Sequence, residues 1–384
     1  KVLSVLNTDN VPANGDLLQE RVLEAVWPDR PSPDSAAWAA FVAYVDAKVH
    51  FHNTMVDRLT SHRPGDPLVP LAEPWPAKVL AIQDAHGVLD AHWRLPGVVV
   101  RATREELLRD QKLKLRIANA TSSALVYVLA LSRFRTNNEA RLLPSVLAYR
   151  DALFCHDVLP SLEHEGVPRA MARQVYDEWT HRSAHPHFGL VNLWVTQNAW
   201  LHFAARLFPS IVANVTHDER YRVSPWMAFA TASILRFLTP LGPQCADGRT
   251  VFLGAMDKRT PATPVYPELS GDWVYGRGLR ANLTTGVYEF VDAPQTDVAA
   301  RLAVAAAALK DTNESIDDAD VLRPLVAELL SSVVGFDLKR EAFAQFATDV
   351  AALYARLVRG ALTGTASSLD VLSALTASRR DSAA

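Results

Sequence analysis

The stretch that decides the fold is Lys112-Leu-Lys114-Leu-Arg-Ile-Ala-Asn119-Ala-Thr-Ser122-Ser-Ala-Leu125. It lies within residues 104–134, whose apolar positions recur with helical periodicity. Thr103 is placed to cap this helix, and Glu105 and Glu106 suit the positive end of the helix dipole. The sequence therefore predicts one long helix here, in a chain where most other segments also have helical periodicity.

Polar residues interrupt the apolar surface of this helix on one side. At about 100° per residue, Asn119 and Ser122 lie about 60° apart, and Lys114 lies about 80° beyond Ser122. A desolvated lysine on such a face can act as a base, and a neighbouring amide can hold a substrate oxygen. In the alternative interpretation the Lys114 stem covers apolar surface and Asn119 binds another helix. The spacing by itself favours this structural alternative.

Composition places the chain among ordinary globular proteins. Its 384 residues suffice for one large or two ordinary domains, and 49% hydrophobic with 21% charged residues excludes a disordered or fibrous chain. A net charge of −3 is not the footprint of a nucleic-acid-binding protein. The two cysteines, Cys155 and Cys245, exclude a disulfide scaffold and favour a reducing compartment, so we expect a cytoplasmic protein. The longest apolar run, residues 122–131, is too short to span a membrane.

The periodicity predicts a mainly helical chain with a small β element. Residues 2–6 form a short apolar run that predicts a strand without a partner nearby, as if it were the last strand of a sheet lying upstream. Further helices are predicted over 17–26, 35–50 (with Ser35 as N-cap), 139–156, 168–181, 188–207, 225–238, 296–309, 320–332 and 338–359. Short strands are predicted over 78–84 and 97–103, loops over 63–76 and 242–291 with a hairpin at 283–290, and a frayed tail over 376–384.

Several common catalytic signatures are missing from the sequence. It contains no G-x-G-x-x-G after a strand, no phosphate-binding G-x-x-x-x-G-K-[ST] loop and no G-x-S-x-G nucleophile motif. The chain therefore has no means of its own to hold a dinucleotide pyrophosphate. Histidines cluster at 181, 185 and 187 and at 50 and 52, but a helix end is a common place for exposed histidines, and we predict no metal site.

Four ordered motifs carry a family resemblance. They are Asp9-Asn10-Val-Pro-Ala-Asn14-Gly15, Asn53-Thr-Met-Val-Asp-Arg-Leu-Thr60, Ala72-Glu-Pro74 and the helix with Lys114 and Asn119, followed later by Gly335-Phe-Asp-Leu and the helix 343–357. In order and spacing they resemble the polyol-specific long-chain dehydrogenases, which include mannitol 2-dehydrogenase and the fructuronate and tagaturonate reductases. Only residues 242–291 have no clear counterpart.

This resemblance implies a multi-helical dehydrogenase C-terminal domain, of the kind found in 6-phosphogluconate dehydrogenase, after a Rossmann-type nucleotide-binding domain. Residues 1–20 would be the end of an otherwise absent nucleotide-binding domain, and residues 21–384 the substrate domain with a possible insertion at 242–291. The implied reaction is metal-independent hydride transfer between a polyol or sugar-acid alcohol and its ketone, with NAD or NADP held mainly outside this chain. Neither nucleic acid nor membrane is an expected partner, and the oligomeric state stays open.

The resemblance also implies roles for single residues. Lys114 takes the position of the catalytic lysine, which acts as general base or acid. Asn119 and Asn10 take the positions of the two amides that polarise the reacting oxygen. Val56 and Asp57 fall where family members contact the substrate, although Asp57 could instead form a structural ion pair with its neighbour Arg58.

Other positions depart from the family pattern. Where the family has a substrate-binding histidine this chain has Ser122, and a helix that carries arginine, aspartate and lysine in the family carries Trp194, Asn198 and His202 here. Their i, i+4, i+8 spacing predicts one stripe on a helix, although Trp194 could simply belong to the core. Losing two buried charge-assisted contacts costs on the order of 3–6 kcal/mol.

Two hypotheses follow from these matches and departures. In the first, the chain is the substrate-binding part of an active NAD(P)-dependent oxidoreductase. In the second, it is a catalytically inactive relative that serves as a binding or structural subunit.

Overall fold

The computed structural model describes residues 2–9, 11–25, 35–63, 66–73, 79–89, 93, 95–242, 253–258, 272–275, 279–282, 285–290, 293–310 and 318–381. Contacts divide the chain into two compact units, Lys1–Lys114 and Leu115–Ala384. The predicted division into residues 1–20 and 21–384 describes which ancestral domain each segment comes from. The contacts within the chain do not test it, and it stays a prediction.

Unit 1 combines three helices with short strands. The helices are α1 (Asn14–Ala25), α2 (Ala36–Lys48) and α3 (Arg104–Leu113), and the strands are β1 (Leu3–Leu6), β2 (Val49–His52), β3 (Thr54–Val56), β4 (Thr60–Arg63), β5 (Asp66–Ala72), β6 (Leu80–Gln83) and β7 (Val98–Arg101). Strand β6 runs between β3, its antiparallel neighbour, and β7, its parallel neighbour. Leu107 of α3 packs with Met55 and Ala81 in a small core, which places α3 over this sheet.

The leading strand β1 pairs within the chain, in parallel register with β2, so it has a partner that the local sequence does not reveal. Its origin in a sheet lying upstream stays a prediction. One expectation about unit 1 is wrong. The stretch predicted as loop over 63–76 contains the antiparallel hairpin of β4 and β5. Its prolines, Pro67 and Pro70, are compatible with this because a two-stranded hairpin has only edge strands.

The helix that begins at Arg104 has the predicted start and an unpredicted interruption. Thr103 and Glu106 form a capping box, in which Thr103 Oγ1 accepts from the Glu106 N–H and Glu106 Oε2 accepts from the Thr103 N–H. The helix is of α type to Leu113, of π type over Lys114–Asn119, and of α type again from Ala120. Because a π turn contains an extra residue, the angles expected for a continuous α-helix do not apply across this segment.

Unit 2 is built almost entirely of helices. They are α4 (Ala120–Leu131), α5 (Pro144–Leu153), α6 (Leu159–His164), α7 (Arg169–Ser183), α8 (Asn192–Val195), α9 (Ala199–His202), α10 (Phe208–His217), α11 (Pro225–Leu238), α12 (Ala293–Lys310), α13 (Asp318–Ser331), α14 (Glu341–Thr363) and α15 (Ser368–Asp381). Short 3₁₀ turns cover Asn137–Leu142 and Thr196–Asn198, and π segments cover Phe154–Val158 and Phe203–Leu207. Together with the strands, this confirms a mainly helical chain with a small β element.

The core of unit 2 surrounds α4 and α11, which are mostly apolar and almost completely buried. Helix α14 instead has the predicted apolar stripe on one face, including Phe346 and Val350. In the described part of the chain, no helix is both long and apolar enough to cross a membrane.

Further differences concern the ends and interruptions of the predicted elements in unit 2. The stretch predicted as loop over 242–291 contains an antiparallel sheet in the order β8 (Leu253–Ala255), β11 (Val287–Phe290), β10 (Leu279–Asn282), β9 (Asp272–Tyr275). The tail is helical to Asp381 rather than frayed, since α15 buries Leu372. The helix predicted over 188–207 begins at Asn192 and is divided into four short segments.

We expect Thr103→Ala to lower the free energy of unfolding by about 1 kcal/mol, because the first turn of α3 loses its cap. The matched control Thr103→Ser retains the hydroxyl and should stay within a few tenths of a kcal/mol of the wild type. Urea unfolding of the full chain, followed by circular dichroism, measures both. Equal stability of the alanine variant and the wild type would contradict the role of the cap.

Candidate active site

In unit 1, the structure brings together two residues that the sequence assigned to the site. Lys114 Nζ donates a hydrogen bond to the backbone oxygen of Val56 over 2.5 Å. One turn earlier, Gln111 Nε2 approaches the backbone oxygen of Thr54 at 3.4 Å. The packing of α3 over β3 therefore fixes the Lys114 amino group at the end of this strand, 58 residues away in sequence.

A buried asparagine ties the first motif to the second. Asn14 is fully buried, and its Nδ2 donates to the backbone oxygens of Asn7 and Asp9 and to Thr54 Oγ1, at 2.8–3.0 Å. Its Oδ1 accepts from the Thr54 N–H over 2.8 Å. The start of β3 is thus bonded to the loop that carries the Asp9-Asn10 motif. Asn10 itself lies outside the described residues.

A second asparagine caps the helix that follows this loop. Asn53 Oδ1 accepts from the backbone N–H groups of Gly15 and Asp16, at 2.9 and 3.1 Å. Only glycine fits at position 15, because a Cβ there would lie 2.5 Å from the backbone carbonyl of His52. Asn53 Nδ2 donates in return to Asp16 Oδ1 and to Gln83 Oε1. The first two motifs are therefore neighbours that hold each other in place.

The third motif is bonded to the residues after β3. Arg58 donates to the backbone oxygen of Glu73 over 2.6 Å, and Glu73 Oε1 accepts from the Leu59 N–H over 2.8 Å. The backbone N–H of Asp57 donates to Val79 over 2.9 Å. The backbone on both sides of the predicted substrate contacts is therefore fixed, and Arg58 serves to anchor Glu73.

In unit 2, Asn119 lies at the junction of the π segment and α4. Asn119 ends the π segment and is half-buried. Among the described residues its amide has no hydrogen-bond partner, and it does not cap α4 with its side chain. A half-buried amide of this kind can donate to a substrate oxygen.

Ser122 lies in a more restricted place. It lines a cavity of about 20 Å³ together with Asn137, Arg150, Trp179 and Ser183. A cavity of this size holds about one water molecule and is far too small for a polyol. The geometry therefore does not favour substrate binding by Ser122 within this cavity.

The expected stripe of Trp194, Asn198 and His202 is not formed. The 3₁₀ turn Thr196–Asn198 interrupts the helix, and the Asn198 backbone has φ −117° and ψ 47°. Asn198 is exposed, and Trp194 is 50% exposed and so does not belong to the core. His202, by contrast, is buried. The regular four-residue spacing predicted a shared face, but it does not apply when the helix is broken.

His202 takes part in a polar cluster that sequence reasoning missed. Its Nδ1 lies 3.1 Å from the hydroxyl of Tyr127, which is fully buried on α4. Burial and, as the smaller cause, the nearby positive charge of Arg206 lower the pKa of His202 to about 3. The imidazole is therefore neutral at physiological pH and does not replace the cationic lysine of the family.

Arg206 completes this cluster and was also missed. Its Nη1 donates to Ser123 Oγ over 2.9 Å. The sequence signal for this cluster was a four-residue spacing in each of two segments. His202 and Arg206 are four residues apart in one segment, and Ser123 and Tyr127 are four residues apart in the other. Within the described residues, no three His, Cys, Asp or Glu side chains converge as they do around a bound metal ion.

Comparison with known proteins finds a curated relative and similar solved structures. No family model matches the chain. The altronate oxidoreductase of Cronobacter sakazakii (strain ATCC BAA-894) is 24% identical over 249 residues, covering 61% of this chain and 48% of that protein. The chain thus matches about half the length of this relative.

Two solved structures resemble the fold. The Pseudomonas fluorescens mannitol 2-dehydrogenase, in a ternary complex with NAD and D-mannitol, aligns with a TM-score of 0.57 at 16% identity, covering 97% of this chain and 62% of that one. A D-sorbitol dehydrogenase in substrate-free form aligns with a TM-score of 0.51 at 17% identity, covering 91% and 62%. The fold is that of a helical dehydrogenase domain. With the sequence match to altronate oxidoreductase, these structures show that the chain is related to the polyol dehydrogenases.

We expect acid to destabilise unit 2 through His202. Because its pKa in the folded chain lies below the ordinary value of about 6.5, the unfolded chain binds more protons between these two values, and stability falls as the pH drops below about 6.5. By pH 5 this amounts to about 2 kcal/mol. His202→Gln should remove this part of the acid sensitivity, and His187→Gln, at an exposed position, should not. Urea unfolding at pH 7.5 and pH 5 measures the difference; equal acid sensitivity of all three proteins contradicts it.

Proposed function

We propose that the chain is the substrate-binding part of an NAD(P)-dependent oxidoreductase of the mannitol dehydrogenase type. It would transfer hydride between a secondary alcohol of a polyol or sugar acid and the corresponding ketone. The observation that carries this proposal is the hydrogen bond from Lys114 Nζ to the carbonyl of Val56, since it joins two residues that family resemblance assigned to the site.

Lys114 has the chemistry that this reaction needs. An ammonium group can donate a proton to the ketone oxygen during reduction and, as an amine, accept it back during oxidation. The Val56 carbonyl holds the Nζ in one place, so the proton donor does not have to be ordered at each turnover. Val56 and Asp57 would contact the substrate at the end of β3.

Amide groups have a separate role in the proposed chemistry. Asn119 and Asn10 would donate hydrogen bonds to the reacting oxygen and stabilise its negative charge as it develops. The support for Asn119 is its half-buried amide, which keeps its hydrogen-bonding capacity among the described residues.

The N-terminus of α1 is already occupied by the protein's own hydrogen bonds. The N–H groups of Gly15 and Asp16, at the start of α1, already donate to Asn53 Oδ1 and are not available to a phosphate. The sequence also lacks a glycine-rich phosphate loop. NAD or NADP would supply the hydride acceptor or donor, and we propose that it is held mainly by residues outside this chain.

A second candidate function is a catalytically inactive relative that serves as a binding or structural subunit. The neutral, buried His202 and the exposed Trp194 favour it, since both stand where the family has cations. Turnover separates the two candidates. The natural full-length protein either oxidises NADH or NADPH with fructose, fructuronate or smaller ketones, or it does not, and absence of turnover with all of them supports the inactive relative.

In the active protein, Lys114→Ala should lower kcat by about 10²- to 10⁴-fold, because the proton donor is lost. The matched control Lys112→Ala removes an amine two residues away and should retain most of the activity. Steady-state kinetics of NADH oxidation measures both, with circular dichroism to show that the variants fold. If activity survives Lys114→Ala, the residue does not have its assigned role.

Asn119→Ala should lower kcat by about 10²- to 10³-fold, with a much smaller effect on KM, since the amide acts on charge that develops in the transition state. Ser122→Ala on the same helix serves as the control and should change kcat by less than about threefold. The same kinetic assay applies. A change confined to KM would assign Asn119 to substrate binding alone.

A further inference from the structure

Arg206 is a half-buried cation without a carboxylate partner. It lies in the π segment Phe203–Leu207, and its Nη1 donates to Ser123 Oγ over 2.9 Å. Among the described residues no Asp or Glu forms an ion pair with it. Burial lowers the pKa of its guanidinium, because the charged form has lost part of its water. Since an arginine keeps its proton under these conditions, the charge needs a partner.

Other arginines that unit 2 shields from solvent have such partners in the described part of the chain. Examples are Arg116 with Glu165 at 2.9 Å, Arg236 with Asp257 at 3.5 Å, and Arg359 with Asp318 at 2.5 Å. Each of these three arginines has a carboxylate partner, and Arg206 has none among the described residues.

The neighbouring groups do not neutralise the charge. His202 is uncharged, and burial raises the pKa of Tyr127 above its ordinary value, so its hydroxyl keeps its proton. Residues 119–131 and 192–217 contain no aspartate or glutamate. These two stretches therefore offer Arg206 no carboxylate. A guanidinium has five N–H donors, and Ser123 accepts from only one of its nitrogens.

The position of Arg206 relates it to the proposed chemistry. Asn119, Ser123 and Tyr127 are spaced by four residues at the start of and along α4, and therefore lie on the same side of this helix. One turn of an α-helix rises about 5.4 Å. Positions 119 and 123 are therefore about one turn apart along the helix, and Ser123 is the residue that holds the guanidinium.

We propose that Arg206 recognises the carboxylate of an anionic substrate, so that the preferred substrate is a sugar acid rather than a neutral polyol. A guanidinium matches a carboxylate with two parallel hydrogen bonds, and Ser123 Oγ orients it. The distance of one helical turn corresponds to the few carbon atoms that separate an acid group from an internal ketone. This inference rests on the proposed function and assigns its substrate class.

The test measures binding to the full chain by calorimetry, with and without NAD. The probes are D-altronate, neutral D-mannitol and D-mannitol 1-phosphate, so that carboxylate, hydroxyl and phosphate recognition are distinguished. The variants are Arg206→Gln and Arg206→Lys, with Arg173→Gln as a control at an exposed position on α7. Circular dichroism checks that each variant folds.

The expected result is that the wild type binds altronate more tightly than the other two probes. Arg206→Gln should weaken altronate binding by about 10- to 100-fold and leave mannitol binding unchanged within about twofold. Arg206→Lys should give an intermediate loss, because it keeps the charge without the fork of donors. Arg173→Gln should bind all probes like the wild type.

Three outcomes overturn the inference. Altronate binding that is unchanged in both Arg206 variants removes the residue from substrate recognition and leaves the proposed function standing. If the wild type binds D-mannitol 1-phosphate more tightly than D-altronate, Arg206 recognises a phosphate rather than a carboxylate. Absence of binding of any probe to the wild type would remove the proposed function as well. If Arg206→Gln does not fold, the Arg206→Lys variant and the comparison of the three probes on the wild type still test whether Arg206 binds a carboxylate.

Discussion

The reciprocal bonds of Asn14 and Asn53 are the constraint on which unit 1 depends. One amide holds the start of β3 against the preceding loop, and the other caps the first turn of α1. Both require the close backbone approach that Gly15 permits. Because β3 is fixed at its start, the carbonyl of Val56 at its end has a defined place. The amino group of Lys114 can then be held there by a single hydrogen bond, which is the feature most closely tied to the proposed proton transfer.

In unit 2, the corresponding constraint is the placement of charged side chains beside a largely apolar core. Its helices α4 and α11 are buried on all sides, so a cation beside them is costly unless a carboxylate accompanies it. His202 avoids this cost by remaining neutral beside Tyr127. Arg206 does not avoid it, and the ligand chemistry proposed above follows from this difference.

The relationship of the chain to known dehydrogenases does not by itself define its activity. The match to altronate oxidoreductase and the two similar folds establish a relationship to polyol dehydrogenases. In the proposed site, residue charges in the helical unit would decide which substrate is accepted. The resemblance implies cations at the positions of the neutral His202 and the solvent-exposed Trp194, and these two side chains are weaker contacts for hydroxyl groups than cations. A carboxylate bound at Arg206 would restore a charge-assisted contact from a different position.

Local sequence determined the elements whose signals are local. The Thr103 cap, the start of α3 and the apolar stripe of α14 were predicted correctly, because capping and periodicity depend on residues within a few positions of one another. The family resemblance also assigned Lys114 and Val56 to one site; the structure joins them by a hydrogen bond, and their roles stay a prediction. Only the tertiary structure revealed the partner of β1, the π segments and the burial of His202. These depend on packing between residues distant in sequence, whose energies no local pattern contains.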